Sequence, residues 1–353
     1  MPSAEARLAP PLTADADSPA DVLIVDDSIV ARSVIGRLVD GNPRCRVAGA
    51  VADANSALAF LRERRVDLVL LDIEMPGRNG LAALPDLLAT SDGARVLVVS
   101  SSCEEGAAST VQALALGAAD TLVKPGAGTL AGRFAEELEE RLTRLLEPTP
   151  RLPLAVPTRV ARAEAFEVVA IGASTGGIHA LGQVLRALPA EMTAPILVTQ
   201  HLPASFMPYF AAQLALLAGR PCDVGDDRLR IRPSRIVVAP GHAHLRVVRI
   251  TDGAAIRLST TPAASGCVPS VDPMFESVAE VYGRGALGVV LSGMGRDGAI
   301  GAERLVGAGG RVVVQDRETS TVWGMPGTVA AAGCASAVLP PDAIGALIAR
   351  GTA

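Results

Sequence analysis

Residues 170–181 read AIGASTGGIHAL, a lone serine set between glycines, just past an apolar run and just before an amphipathic one. Three arrangements use such a turn. Gly172-Ala173-Ser174-Thr175-Gly176 fits G-x-S-x-G, the strand-to-helix elbow that presents a nucleophilic serine. The same letters resemble the glycine turn that holds a dinucleotide at a helix N-terminus. A tight strand-to-helix connection with no chemistry is the third.

Residue identity removes the cofactor readings. A Tyr-x-x-x-Lys pair is needed for short-chain dehydrogenase chemistry, but Tyr209 is followed four residues later by Gln213 and Tyr282 by Ala286. A Walker loop also needs a lysine after its glycines, and Lys124 is the single lysine of the chain, the other 31 of its 32 basic residues being arginine. A nucleophile and a plain turn remain. A serine nucleophile requires a histidine base and an acid to orient it. Of the four histidines, His179 follows Ser174 by five residues and would point away on the next helix. His201 ends the apolar run APILVTQ, on the same expected sheet edge as Ser174. His242 and His244 follow RIVVAP and stay open, either as bases or as an H-A-H metal pair. Among the acids, Asp297 in LSGMGRDGA follows the run ALGVV, and its glycine neighbours let the main chain approach a small pocket closely. Strand-end position therefore gives Ser174, His201 and Asp297. A coincidental set of polar strand ends stays open beside it. The order Ser…His…Asp is not the Ser…Asp…His order of the α/β-hydrolases.

A second group of reactive residues lies earlier in the chain. Asp26 and Asp27 follow the first apolar run, Asp72 ends VDLVLLD, and Lys124 ends DTLVK just before Pro125. In an open parallel sheet the carboxyl ends of the strands converge on one crevice. Three carboxylates held there repel one another unless a hard cation sits between them, and an oxygen-only site of this kind suits Mg²⁺.

Two sets of elements must position these residues. From Asp21 onward, short β-branched runs (DVLIVDD, RVAGAV, VDLVLLD, VLVVSS, DTLVKP) alternate with helix-length segments, the pattern of a parallel sheet covered on both faces. LAGRFAEELEERLTRLLE closes this half as an amphipathic helix. The proline-containing stretch EPTPRLPLAVPTRVARAEA reads as a linker. A second alternation then runs through FEVVAIG, APILVTQH, RIVVAP, LRVVRI, ALGVVLSG and GRVVVQD, with an antiparallel hairpin expected about Asp252-Gly253. The expected architecture is α/β, with two doubly wound, mainly parallel sheets. The expected order is an N-terminal extension over 1–20, a flavodoxin-like domain over 21–145, a linker over 146–165 and a larger α/β domain over 166–353.

Bulk composition bounds the function. The 353 residues are 49% hydrophobic and 20% charged, which describes a globular chain with room for two domains. A formal charge of −5 with no basic block gives no nucleic-acid surface. No apolar run approaches the length of a membrane span, so a cytoplasmic, non-inserted protein is expected. The five cysteines, Cys45, Cys103, Cys222, Cys267 and Cys334, are scattered and read as reduced packing residues.

At this point two resemblances enter. The acid pair near the N-terminus, LDIEMPGRNG around Asp72, Ser100-Ser101 and VKP with Lys124 resemble a response-regulator receiver domain over about residues 21–145. That resemblance implies that Asp72 accepts a phosphoryl group, that Asp26, Asp27, Asp72 and the main chain at Glu74 hold Mg²⁺, and that Ser100 and Lys124 sense the phosphoryl. Asn79 stands where the family has aspartate in M-P-x-x-D-G, and Thr121 where many receivers carry an aromatic. In the second half, IGASTGG, QHLP, PSVDPMFESVA, LSGMGRDGA and QDRETSTVWGMP are similar to the catalytic domain of chemotaxis protein-glutamate methylesterases of the CheB type, with Val268 where arginine is common. The resemblance implies hydrolysis of glutamate methyl esters on the cytoplasmic helices of chemoreceptors by Ser174, His201 and Asp297, with deamidation of glutamine as a second activity. Oxyanion donors are expected at Thr175 and Met294, the latter aided by a helix N-terminus. It also implies a chemotaxis histidine kinase as phosphodonor, a monomer, and no cofactor for the esterase. An adaptor that binds a partner without catalysis is the competing reading.

Overall fold

The computed structural model describes residues 18–100, 104–124, 131–146 and 166–351. The N-terminal extension up to residue 17, Ser101, Cys103, Pro125 and the linker from residue 147 to 165 lie outside the described residues. The chain divides into two compact units, one ending at Glu147 and the other starting at Pro148.

In the first unit, strands β1 (Ala20–Val25), β2 (Cys45–Val51), β3 (Leu68–Asp72), β4 (Arg95–Ser100) and β5 (Asp120–Val123) alternate with helices α1 (Ile29–Asp40), α2 (Ala54–Glu63), α3 (Gly80–Thr90), α4 (Glu104–Leu116) and α5 (Ala131–Leu146). The strands form one parallel sheet in the order β2-β1-β3-β4-β5. Val22, Leu23, Ile24, Leu68, Leu70 and Leu97 are fully or almost fully buried, because helices cover both faces and a continuous apolar run is what such a strand requires. Asn79 caps α3, its side-chain oxygen accepting from the Ala82 amide at 2.8 Å. Asparagine serves at a helix N-cap as well as aspartate does, so the departure at position 79 leaves the start of α3 intact. Gly80 follows because a Cβ there would collide with the Asp72 carbonyl.

The second unit carries β6 (Val168–Ala173), α6 (Gly177–Arg186), β7 (Ile196–Gln200), α7 (Met207–Ala218), β8 (Cys222–Val224), β9 (Ile236–Val238), β10 (His244–Ile250), β11 (Gly253–Ser259), α8 (Val271–Tyr282), β12 (Ala286–Val290), α9 (Ala299–Gly307), β13 (Arg311–Gln315), α10 (Met325–Ala331), β14 (Ala337–Leu339) and α11 (Pro341–Gly351). Seven strands form a parallel sheet in the order β14-β13-β12-β6-β7-β9-β8. The chain leaves β6 toward β7 on one side and later returns to place β12 on the other, so β6 is the topological switch, where a ligand crevice opens outside the carboxyl ends. Strands β10 and β11 make the expected antiparallel hairpin. Its two-residue loop is Thr251-Asp252, one position earlier than the Asp-Gly signal suggested, and Gly253, at φ +121, opens β11.

Candidate active site

Register places the serine and the histidine side by side. Ala173 pairs with Gln200 across β6 and β7, and Ser174 and His201 are the next residue of each strand. The His201 amide donates to the Ala173 carbonyl at 3.2 Å, and Gln200 Nε2 donates to the Ser174 carbonyl at 3.0 Å, tying the two turns together. Sharp reversal at Ser174 depends on close packing. Gly176 has φ +74, and a Cβ there would collide with Thr321. Ser292, two residues past β12, bonds its hydroxyl to the Thr175 carbonyl at 2.7 Å and accepts the Val322 amide at 3.0 Å. The Ser292 amide in turn donates to Gln315 Oε1 at 2.7 Å.

The third neighbouring strand, β12, delivers Asp297. His201 Nε2–H donates to Asp297 Oδ2 at 2.7 Å. Asp297 is 1% exposed, and such a buried carboxylate needs several donors. It receives them from the start of α8: the Ser270 hydroxyl reaches Oδ1 at 2.6 Å and the Val271 amide reaches Oδ2 at 2.8 Å. Ser270, the N-cap position of α8, makes no side-chain cap bond to its own helix, so Asp297 caps α8 from outside. The Gly298 amide adds a bond at 3.1 Å. Burial alone would raise the Asp297 carboxyl. The bonds from His201, Ser270 and Val271 outweigh it and hold the group at about 2. Burial would likewise lower His201, but Asp297 and the adjacent Cys267 drive the imidazole up to about 9. Asp272, on the first turn of α8, accepts the Gly301 amide at 2.7 Å, and burial together with repulsion from Asp297 pushes it up to about 6.

The expected oxyanion donors, Thr175 and Met294, lie in the turns after β6 and β12. Thr175 lies in the turn ahead of α6, and neither its amide nor that of Met294 is bonded to a backbone carbonyl among the described residues. The Ser174 amide is spent on the Ser292 carbonyl at 3.0 Å. Gly293, just before Met294, packs against Ser174, where a Cβ would come within 2.9 Å of the serine Cβ. The helix expected to aid Met294 begins only at Ala299, so that contribution is corrected: a helix dipole fades within its first turn. Met294 instead lines a pocket of about 310 Å³ with Ser265, Cys267, Gly295, Arg296 and Asp297.

His244 is not part of a metal pair. It is fully buried, its Nδ1 accepting the Ser270 amide at 2.9 Å and its Nε2–H donating to the Thr261 carbonyl at 2.9 Å, whereas His242 is exposed. Through Ser270 it buttresses the segment that holds Asp297. His179 lies on α6 beside Gln183, with 3.1 Å between their Nε2 atoms. Sequence reasoning missed Ser270, His244, Gln200, Ser292 and Cys267 as parts of the site. The run PSVD carried the signal for Ser270, but nothing in it says which distant acid the serine serves.

In the first unit the carboxylates of Asp26, Asp27 and Asp72 have oxygens within 4.8 Å of one another at the carboxyl ends of β1 and β3. Lys124 Nζ stands 2.8 Å from Asp26 Oδ2 and 2.6 Å from Asp72 Oδ2. Burial raises the Asp72 carboxyl despite the bond from Lys124, and the two acids raise Lys124 despite its burial. The lysine meets the charge of Asp26 Oδ2, but no aligned donor satisfies that buried oxygen. Three clustered carboxylates against a single ammonium leave an oxygen-rich, negatively charged crevice, which fits a hard divalent cation. The Glu74 amide donates to Asp72 Oδ1 at 3.2 Å, setting its main chain beside the acid. Ser100, at the end of β4, is buried with its hydroxyl 3.3 Å from Thr110 Oγ1, and its carbonyl accepts the Lys124 amide at 2.7 Å. Thr121 is half-buried in β5.

This order of parts, an acid-bearing α/β receiver followed by a larger parallel α/β domain with its polar site at the switch strand, defines a response regulator with an enzymatic type of output domain. Family models agree: the response regulator receiver domain matches residues 22–131 and the CheB methylesterase matches residues 169–348. The chain belongs to the CheB methylesterase family. It is 41% identical to a protein-glutamate methylesterase/protein-glutamine glutaminase of Caulobacter vibrioides, over 93% of this chain and 97% of the relative. A protein of the same description from Maricaulis maris is 37% identical over 93% of this chain and 94% of its own length. The crystal structure of the Thermotoga maritima CheB methylesterase catalytic domain superposes with a TM-score of 0.51 at 34% identity, covering 52% of this chain and 98% of that one.

Proposed function

We propose that the chain is a protein-glutamate methylesterase and glutaminase acting on chemoreceptor helices, switched on by phosphorylation of Asp72. The Asp297–His201 bond, held one residue beyond the Ala173–Gln200 pairing that sets Ser174 alongside, supports this reading best. Ser174 Oγ attacks the γ-carbonyl of a methylated glutamate. Because Nε2 is committed to Asp297, Nδ1 of His201 is the nitrogen that takes the serine proton and returns it to departing methanol. Asp297 holds the tautomer and balances the imidazolium. The Thr175 and Met294 amides stabilise the oxyanion. Water, activated by the same nitrogen, then releases the free glutamate; a glutamine amide follows the same course with ammonia leaving.

In the receiver, Asp26, Asp27, Asp72 and the Glu74 main chain would hold Mg²⁺, which would offset charge at the phosphoryl. A histidine kinase of the same sensory pathway supplies that group to Asp72. Lys124 then follows the added charge together with Ser100, whose hydroxyl must leave Thr110. Methanol release from methylated receptor membranes tests the catalytic half. The intact chain should release it and Ser174→Ala should not. Near-normal release by that variant would return the chain to the adaptor reading.

A further inference from the structure

We propose that His201, Cys267 and Asp297 form a binding site for Zn²⁺ or a similar thiophilic divalent ion, and that filling it switches the esterase off. The inhibitory half of this inference rests on the catalytic reading of His201 and Asp297; the binding half does not. A ring nitrogen of His201, the Cys267 sulfur and a carboxylate oxygen of Asp297 lie within 4.8 Å of one another. Tetrahedral zinc with these donors keeps them about 3.4–3.6 Å apart, so modest side-chain rotations close the set. The donor chemistry differs from that of the receiver cluster. Three carboxylates suit a hard ion, whereas imidazole, thiolate and carboxylate suit Zn²⁺.

Supports around the three donors match those of a built site. Asp297 Oδ1 is held by Ser270 Oγ at 2.6 Å, leaving Oδ2 toward the imidazole, and such outer bonds orient a ligating carboxylate. The Cys267 sulfur, 3.9 Å from the Ser265 carbonyl, also interacts with the His201 imidazole, so the soft donor already lies beside the ring. The pocket of about 310 Å³ opens on Cys267 and Asp297, giving the ion an entry path and a fourth position for water. Cys45, by contrast, is buried, and Cys222 lies beside Asp223 with its thiol pushed up to about 12. The ion would take a His201 ring nitrogen and the Asp297 carboxylate out of the bond that sets the imidazole tautomer, so binding and turnover exclude one another.

The test titrates the full chain with Co²⁺ as a spectroscopic probe and measures methanol release with Zn²⁺, without phosphodonor. One Co²⁺ should give a thiolate-to-cobalt charge-transfer absorption in the near ultraviolet that Zn²⁺ displaces, present in Ser174→Ala and absent in Cys267→Ala. Zn²⁺ at roughly ten times its Kd should lower methanol release about tenfold, by mass action, with recovery on chelation. Cys267→Ala, scaled to its own metal-free rate, should lose that inhibition. No absorption in the parent chain, or an absorption that survives Cys267→Ala, overturns the site. A saturated absorption with turnover unchanged or increased overturns the inhibition. Failure of the catalytic reading shows separately, as methanol release by Ser174→Ala.

Discussion

As the proposed base, His201 sets the expected pH dependence of the site. Its imidazole lies near 9, because Asp297 and Cys267 favour the charged form more than burial opposes it. An imidazolium cannot accept the serine proton, so the active fraction grows as pH rises and levels off above the folded pKa. Methanol release under kcat/KM conditions should therefore climb about tenfold per pH unit between 7 and 8 and flatten near 9, with Ser174→Ala as the blank for spontaneous ester hydrolysis. A plateau already reached at pH 7 would mean that the pair is far less strongly coupled than the 2.7 Å bond implies. The histidines should also separate by role. On the proposed mechanism His201→Gln removes the base and should cost roughly a thousandfold or more, close to Ser174→Ala, because members of such a triad act as a unit. His244, both of whose nitrogens serve the Ser270 and Thr261 backbone, should cost stability first and turnover far less when replaced by Gln. Thermal melts alongside initial rates distinguish the two.

At the level of elements, the start of α8 does for Asp297 what no neighbour in sequence does. Ser270→Ala deletes a hydroxyl bonded at 2.6 Å to a buried carboxylate, a loss of about 1.5–3 kcal/mol for a bond to a charged group. The variant should melt several degrees lower, lose kcat with little change in KM, and show the rise of its pH profile displaced to lower pH, since the Asp297 charge that raises His201 would be less firmly placed. An unchanged pH profile would reduce Ser270 to a packing residue. This is also where the sequence stopped being legible. The strands of both sheets show as β-branched apolar runs; Ser174 and His201 are readable because each follows such a run directly, and Asp297 because it lies in the glycine-rich loop after the run that forms β12. β8 and β14, three residues each, are too short to stand out, and the hairpin turn sits one residue from its Asp-Gly signal. Ser270 and Cys267 belong to the approach to α8, and only packing of that helix against β6 and β12 brings them to Asp297. Gly172 shows how tight that packing is, since a Cβ there would come within 2.5 Å of Val271. A linear pattern holds no record of such a meeting.

At the scale of the whole molecule, each half has its own core. Val22, Leu70, Leu97 and Leu138 belong to one buried cluster, and Ala170, Leu197, Phe275 and Val290 to another. A domain with its own core can fold alone, so residues 166–353 should survive as a fragment. The proposed control by the receiver then has a direct test. A phosphoryl on Asp72 adds charge next to Lys124, which already stands 2.6 Å from Asp72 Oδ2 and 2.8 Å from Asp26 Oδ2, so the lysine must redistribute its bonds. On the proposed reading this would favour a second receiver conformation, and the shift can be no larger than the difference in phosphoryl binding between the two states. If the unphosphorylated receiver restrains the catalytic domain, the fragment should release methanol faster than the whole chain, and phosphodonor with Mg²⁺ should move the whole chain toward the fragment's rate. Asp72→Asn cannot accept the phosphoryl and should remain at the basal rate under the same conditions. A fragment no faster than the unphosphorylated chain would rule out restraint, and activation would then have to come from something the phosphorylated receiver contributes to the catalytic domain.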